Sequence, residues 1–215
     1  WLATSRRLHT IGLERLIETP HDRGVLIASN HRSFFDQFFI ACCLYQATRR
    51  WPRFYFPVRS EFFYDHPIGV FLNAVVTSAT MFPPIFRPRA KRGVTRAGLD
   101  FLADELRSPD TLVGIHPEGT RGKGPDPYEL LPAEPGFGKV VLQSRPVVVP
   151  VFIQALSNDC FREIASNISG RNPVIIVFGE PVDLSDFDDE DPRLLRNQVK
   201  VGRRVLADVA QLAEQ

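Results

Sequence analysis

Three cysteines among 215 residues, two of them adjacent at Cys42 and Cys43, are too few and too poorly spaced for a disulfide framework or a CxxC metal motif. That usage fits a reducing compartment. No GxSxG elbow is present, which removes the hydrolases that depend on one, and no HExxH pair marks a zinc site. His116 and Glu118 form an HxE element, but no PCxxC follows and Cys160 stands alone, which excludes the zinc deaminase arrangement. No period of twenty to fifty residues recurs, so a solenoid is excluded as well. Long hydrophobic runs are also scarce. The longest uncharged stretch, Ile68 to Phe86, is interrupted by Asn73, Thr77, Ser78, Thr80 and the pair Pro83-Pro84. It reads as a buried helix followed by a strand, with an interfacial or acyl-chain-contacting role as the alternative.

What the chain does have is 44% hydrophobic and 24% charged residues, enough to bury one core at this length. A single domain over residues 1–215 is expected. The formal net charge is +1, yet Lys and Arg outnumber acids 13 to 6 over residues 1–92, and acids outnumber bases 19 to 13 afterwards. The basic half is almost entirely arginine. It suits the phosphates of a membrane surface, a nucleotide or a nucleic acid, and equally suits simple solvation. The chain begins at Trp1 rather than methionine, which leaves room for an upstream targeting or anchoring segment.

Apolar spacing over residues 2–18 (Leu2, Leu8, Ile11, Leu16, Ile17) predicts an N-terminal amphipathic helix. Val25 to Ala28 is a short apolar run with turn residues before it, the pattern of a buried strand. Ser33 is placed to cap a helix over 34–46. Further strands are predicted over 54–58, 80–86, 111–115, 147–153 and 174–178, with helices over 61–74, 94–106, 138–143 and 192–212. Strands alternating with helices predict an α/β fold with a central, mainly parallel sheet flanked by helices. In such folds ligands gather at the carboxyl ends of the strands, where His31 and Glu118 fall.

The first constellation is Asn30-His31-Arg32-Ser33-Phe34-Phe35-Asp36. A carboxylate one turn into a helix can reach back to a histidine just before it, fix its tautomer and make its second nitrogen a better proton acceptor. Taken alone, the spacing also suits an ordinary capped helix. The second is His116-Pro117-Glu118-Gly119-Thr120-Arg121, which closes a different strand. Arg121 offers a fork for phosphate oxygens, Thr120 a hydroxyl and Gly119 close backbone approach, the parts of an anion site. A tight turn carrying a surface arginine is the plainer reading, and a metal site built from His31, Asp36, His116 and Glu118 has no supporting spacing.

Taken together and in order, these motifs resemble the glycerolipid acyltransferase family typified by bacterial 1-acylglycerol-3-phosphate acyltransferases. The HxxxxD motif of that family stands at His31 to Asp36, and its FPEGTRS motif at His116 to Gly122. Between them, Arg59-Ser60-Glu61-Phe62-Phe63 followed by Pro67-Ile68-Gly69 is similar to the lead into the second motif, whose closing arginine falls at Arg87. Val147 to Ile153, around Pro150, looks like the fourth. The resemblance covers about residues 25–182, with the 192–212 helix beyond it. It departs from the family pattern at His116 for phenylalanine, Gly122 for serine and Phe86 for an acid.

The resemblance implies His31 as general base and Asp36 as its orienting partner, with no covalent acyl-enzyme. It implies acyl-CoA or an acyl carrier protein as co-substrate and a lysophospholipid or glycerol-phosphate-like acceptor bound by Arg87, Glu118, Gly119, Thr120 and Arg121. Pro150 is expected to shape the acyl-donor side. No metal, cofactor or nucleic acid is called for, and the implied setting is cytoplasmic, peripheral to a membrane surface. The alternative is a catalytically inactive phospholipid- or anion-binding domain of the same fold. Residues 122–136, with four prolines and three acids, form a loop that either selects the acceptor or merely connects elements.

Overall fold

The computed structural model describes residues 7–18, 21–59, 64–71, 73–74, 80–85, 92–122, 124, 126, 128–157 and 159–214. Its strands are β1 (Leu8–Ile11), β2 (Val25–Ser29), β3 (Arg53–Tyr55), β4 (Val58–Arg59), β5 (Pro84–Ile85), β6 (Thr111–Ile115), β7 (Val147–Gln154) and β8 (Val174–Phe178). The helices are α1 (Leu13–Glu18), α2 (Asp36–Ala47), α3 (Pro67–Phe71), α4 (Arg92–Glu105), α5 (Pro135–Ser144), α6 (Cys160–Ser169) and α7 (Leu195–Gln211). Six strands form one sheet in the order β1-β8-β7-β2-β6-β3, and β4 pairs with β5 in a separate ribbon. All neighbours are parallel except β7 and β8, which run antiparallel. The fold is therefore α/β with a mainly parallel sheet, as expected.

The sheet is buried on both faces because alternate residues of its strands feed two cores. Val25, Ile27, Val149 and Val151 pack with Phe39, Ile40 and Leu44 of α2. Leu26, Ala28, Val148 and Phe152 face the other way, against Leu102 and Leu106, Phe137 and Val140, and Val201 and Val205. A continuous apolar run is what a strand sandwiched between helix layers requires. Val25, Leu26, Ile27 and Ala28 are each 0% exposed. Each larger side chain among them contributes about 1.5–3 kcal/mol over leaving it in water.

Residues 8–11 are not part of an amphipathic helix; they form a strand parallel to β8, with Leu8 opposite Val174 and Ile11 opposite Val177. The cause is Gly12. Its φ of +76° breaks a helical path, and a Cβ there would lie 2.2 Å from the Phe178 carbonyl oxygen, so the chain crosses against β8 before α1 begins. The expected helix over 61–74 and strand over 80–86 lie partly outside the described residues. Where described, the segment is the short α3 and the two-residue β5, and α3 is not buried: Ile68 and Phe71 are each 60% exposed. Among the described residues no helix is long and apolar enough to cross a membrane.

The arrangement of β2 and β6 positions the site. They are parallel neighbours, Ala28 beside Ile115, so the loops that follow both strands leave the same edge of the sheet. Asn30 fastens that edge to β7, its amide donating to the Ile153 carbonyl (3.1 Å) and accepting from the Ile153 N–H (2.8 Å).

Candidate active site

Helix α2 starts at Asp36, not at Phe34, because Ser33 does not cap it in the usual way. The Ser33 hydroxyl accepts from Phe35 N–H (3.2 Å) and donates to the Ser157 carbonyl (2.5 Å), which ties the loop to the end of β7. Asp36, fully buried in the first turn, folds its carboxylate back over the loop. Its Oδ2 accepts from Arg32 N–H (2.6 Å), Ser33 N–H (2.8 Å) and Nδ1 of His31 (3.0 Å). Three donors on one oxygen define where the carboxylate sits and which edge of the imidazole meets it. Burial pushes the Asp36 carboxyl up to about 6, partly offset by the Ser33 and Arg32 N–H groups and the Arg121 charge. At neutral pH it is ionised.

The loop after β6 turns tightly. Gly119 at φ +62° donates its N–H to the His116 carbonyl (3.0 Å), a conformation that favours glycine. Glu118 is 3% exposed, and its carboxylate spans two chain segments, accepting from His31 N–H (2.9 Å) and Leu131 N–H (2.7 Å). Burial raises its pKa, opposed by those two N–H bonds. The oxygens of Glu118, expected to contact an acceptor, hold the His31 backbone and the long loop. That role is invisible in sequence because one partner lies 13 residues downstream among prolines.

His116 belongs to the site as well, in a position the motifs do not mark. Its ring stacks on His31 with centroids 4.0 Å apart and planes 3° apart. Its Nδ1 lies 3.0 Å from the Ser29 hydroxyl and 3.2 Å from the Ser29 carbonyl. Burial drives the pKa of this ring down to about 3, helped by the neighbouring His31, so it is neutral at physiological pH. The HxE pattern was legible, but the contact with a ring 85 positions earlier required the β2–β6 pairing.

His31, His116, Gly119, Thr120 and Arg121 line one cleft of about 710 Å³. Apolar side chains line it as well: Phe38 from α2, Val58 and Ile85 from the small ribbon, Met81, and Leu99 from α4. A cleft of this mixed lining can handle a proton and an anion and also accept hydrocarbon. Pro150 is elsewhere. It sits in mid-β7 opposite Ala28, its carbonyl accepting from Gly179 N–H (2.9 Å), and is not among the residues lining the cleft. Arg87 lies outside the described residues.

Among the described residues one group, His31, Asp36 and His116, brings possible metal ligand atoms within 4.8 Å of one another. Its geometry is that of a hydrogen-bonded pair with a stacked ring. Imidazole lone pairs lie in the ring plane, and two nearly coincident orientations stacked face to face do not aim both lone pairs at one ion.

The fold is shared with a solved enzyme. The crystal structure of PlsC, the 1-acyl-sn-glycerophosphate (LPA) acyltransferase from Thermotoga maritima, superposes with a TM-score of 0.57 at 20% identity, covering 100% of this chain and 74% of that one. No curated protein sequence matches the chain. The family model for acyltransferases aligns with residues 8–154, a span that holds both histidine-bearing loops and their strands, and with more than half of its length matched the chain belongs to the acyltransferase family.

Proposed function

We propose that this protein transfers a fatty acyl group from a thioester, acyl-CoA or an acyl carrier protein, to the hydroxyl of a phosphorylated lipid acceptor such as a lysophospholipid. The observation that carries the reading is the 3.0 Å bond between His31 Nδ1 and Asp36 in a cleft that Thr120 and Arg121 also line. With the Nδ1 proton donated to the carboxylate, Nε2 is the basic nitrogen of His31.

The acceptor O–H gives its proton to Nε2 as its oxygen bonds to the thioester carbonyl carbon, forming a tetrahedral oxyanion. The C–S bond then breaks, and the leaving thiolate takes the proton back from the imidazolium. Asp36 stabilises that imidazolium without itself being protonated. No enzyme nucleophile or cofactor enters the balance. Arg121 supports the acceptor phosphate by a charge-assisted hydrogen bond, with Thr120 and the Gly119 turn beside it, and the apolar lining suits the acyl chain. A mere binding domain would have no use for a buried carboxylate trained on an imidazole. The thioester donors imply a cytoplasmic setting, and the lipid acceptor implies a membrane surface.

Thiol release from acyl-CoA mixed with lysophosphatidic acid tests the reading. The parent is expected to release thiol and His31→Ala to lose at least about a hundredfold of that rate. Equal rates would remove His31 from the chemistry.

A further inference from the structure

The bond from His31 Nδ1 to Asp36 meets one edge of the imidazole. The face of the ring meets a second aromatic ring. His116 lies parallel to it, 4.0 Å away between centroids, and is itself anchored on Ser29 at the end of β2. Both Ser29 contacts fall on one nitrogen, Nδ1, so the ring is pinned along one edge. A neutral ring also suits its neighbour, because it does not repel the imidazolium that His31 becomes on taking up a proton.

We infer that His116 is a positioning residue for acyl transfer: the flat face of its ring, pinned to Ser29, fixes the plane of the His31 imidazole against tilt. The inference rests on the reading of His31 as general base. His116 does not touch the reacting atoms in this scheme and moves no proton. Its contribution is geometric, and it belongs in kcat rather than in substrate binding, since small misplacements of a reacting group cost rate steeply.

The experiment compares His116→Phe, which keeps a flat ring, with His116→Leu, which keeps apolar bulk without one. kcat and both KM values are measured at pH 8 with acyl-CoA and lysophosphatidic acid, and thermal melting checks folding. His116→Phe is expected to stay within about threefold of the parent in kcat, whereas His116→Leu falls about tenfold to a hundredfold with KM values unchanged. The His31 Nδ1 proton resonance should stay sharp in the Phe variant and broaden in the Leu variant. Should His116→Leu not fold, His116→Met supplies the same comparison. Parental kcat in a folded Leu or Met variant, or an equal loss in the Phe variant, overturns the inference. His31→Ala in the same assay judges the general-base reading separately: parental activity in that variant overturns that reading, whatever the His116 variants do.

Discussion

The segments that follow β2 and β6 each bring one histidine and one buried carboxylate to the site, His31 with Asp36 and His116 with Glu118, yet they divide the labour. In the first segment the carboxylate serves its own histidine, Asp36 meeting His31 at 3.0 Å. In the second, Glu118 accepts the backbone N–H of His31 at 2.9 Å, while the His116 ring stacks on the His31 face. In the proposed reaction one segment carries the base and the other braces it. A motif is thus a set of residue types whose tasks are decided by which strand ends become neighbours.

The sharpest break in that comparison is Asp36→Asn. The β2 loop would keep its shape but lose the charge that supports an imidazolium, so kcat should fall by about a hundredfold to ten-thousandfold with substrate affinity largely kept. In the parent the same dependence should appear as a loss of kcat when pH falls through about 6, the value to which burial raises Asp36. A rate that stays flat down to pH 5 would contradict the assigned carboxylate.

Glu118→Gln tests the bracing loop. It retains one oxygen acceptor but loses the charge holding His31 N–H and Leu131 N–H, and hydrogen bonds to charged groups are worth about 1.5–3 kcal/mol each. Thermal melting should drop by several degrees and kcat by about tenfold, and a variant with normal melting and activity would show that the brace is dispensable. Arg121→Ala should then raise KM for a phosphorylated acceptor about tenfold while leaving the donor KM alone. Unchanged acceptor kinetics would place the phosphate elsewhere.

The smallest effect concerns stability against pH, where the two loops pull in opposite directions. Between pH 6.5 and 3 the unfolded chain takes up a proton that folded His116, held at about 3, refuses, so this group makes stability fall as pH falls through that window. Asp36, held at about 6, takes up its proton before the unfolded carboxyl at 3.8, so it adds stability as pH falls from 6 towards 4. Melting at pH 7 and pH 4.5 should show a shallower acid loss for His116→Phe and a steeper one for Asp36→Asn. Parallel shifts in both variants would contradict the opposite signs.

Much of this was legible in the sequence wherever a residue's task is set by its neighbours along the chain. Strands β6 and β8 were predicted at their observed bounds because Thr111–Ile115 and Val174–Phe178 are short apolar runs between turns, and Asp36 was placed in the first turn of α2 from its distance to Ser33. The N-terminal error has a physical origin: Leu8 and Ile11 satisfy a helical spacing as well as a strand, and only the close approach of Gly12 to Phe178 decides between them. Helix α6 went unpredicted although Phe161, Ile164 and Ile168 recur at helical spacing; in the structure that apolar stripe faces solvent, while the buried side carries Glu163, paired with buried Arg7 at 2.9 Å. The tasks of Glu118 and His116 depend on contacts with residues far away in sequence, which no local pattern encodes.

The most direct measurement is a competition in which acyl-CoA is offered with equal lysophosphatidic acid and monoacylglycerol, and the lipid products are identified by mass. The account predicts that the parent forms mainly phosphatidic acid and that His31→Ala forms neither product. Equal acylation of the uncharged acceptor by the parent, or undiminished product from His31→Ala, would contradict a cleft that grips a phosphate while it deprotonates the alcohol beside it.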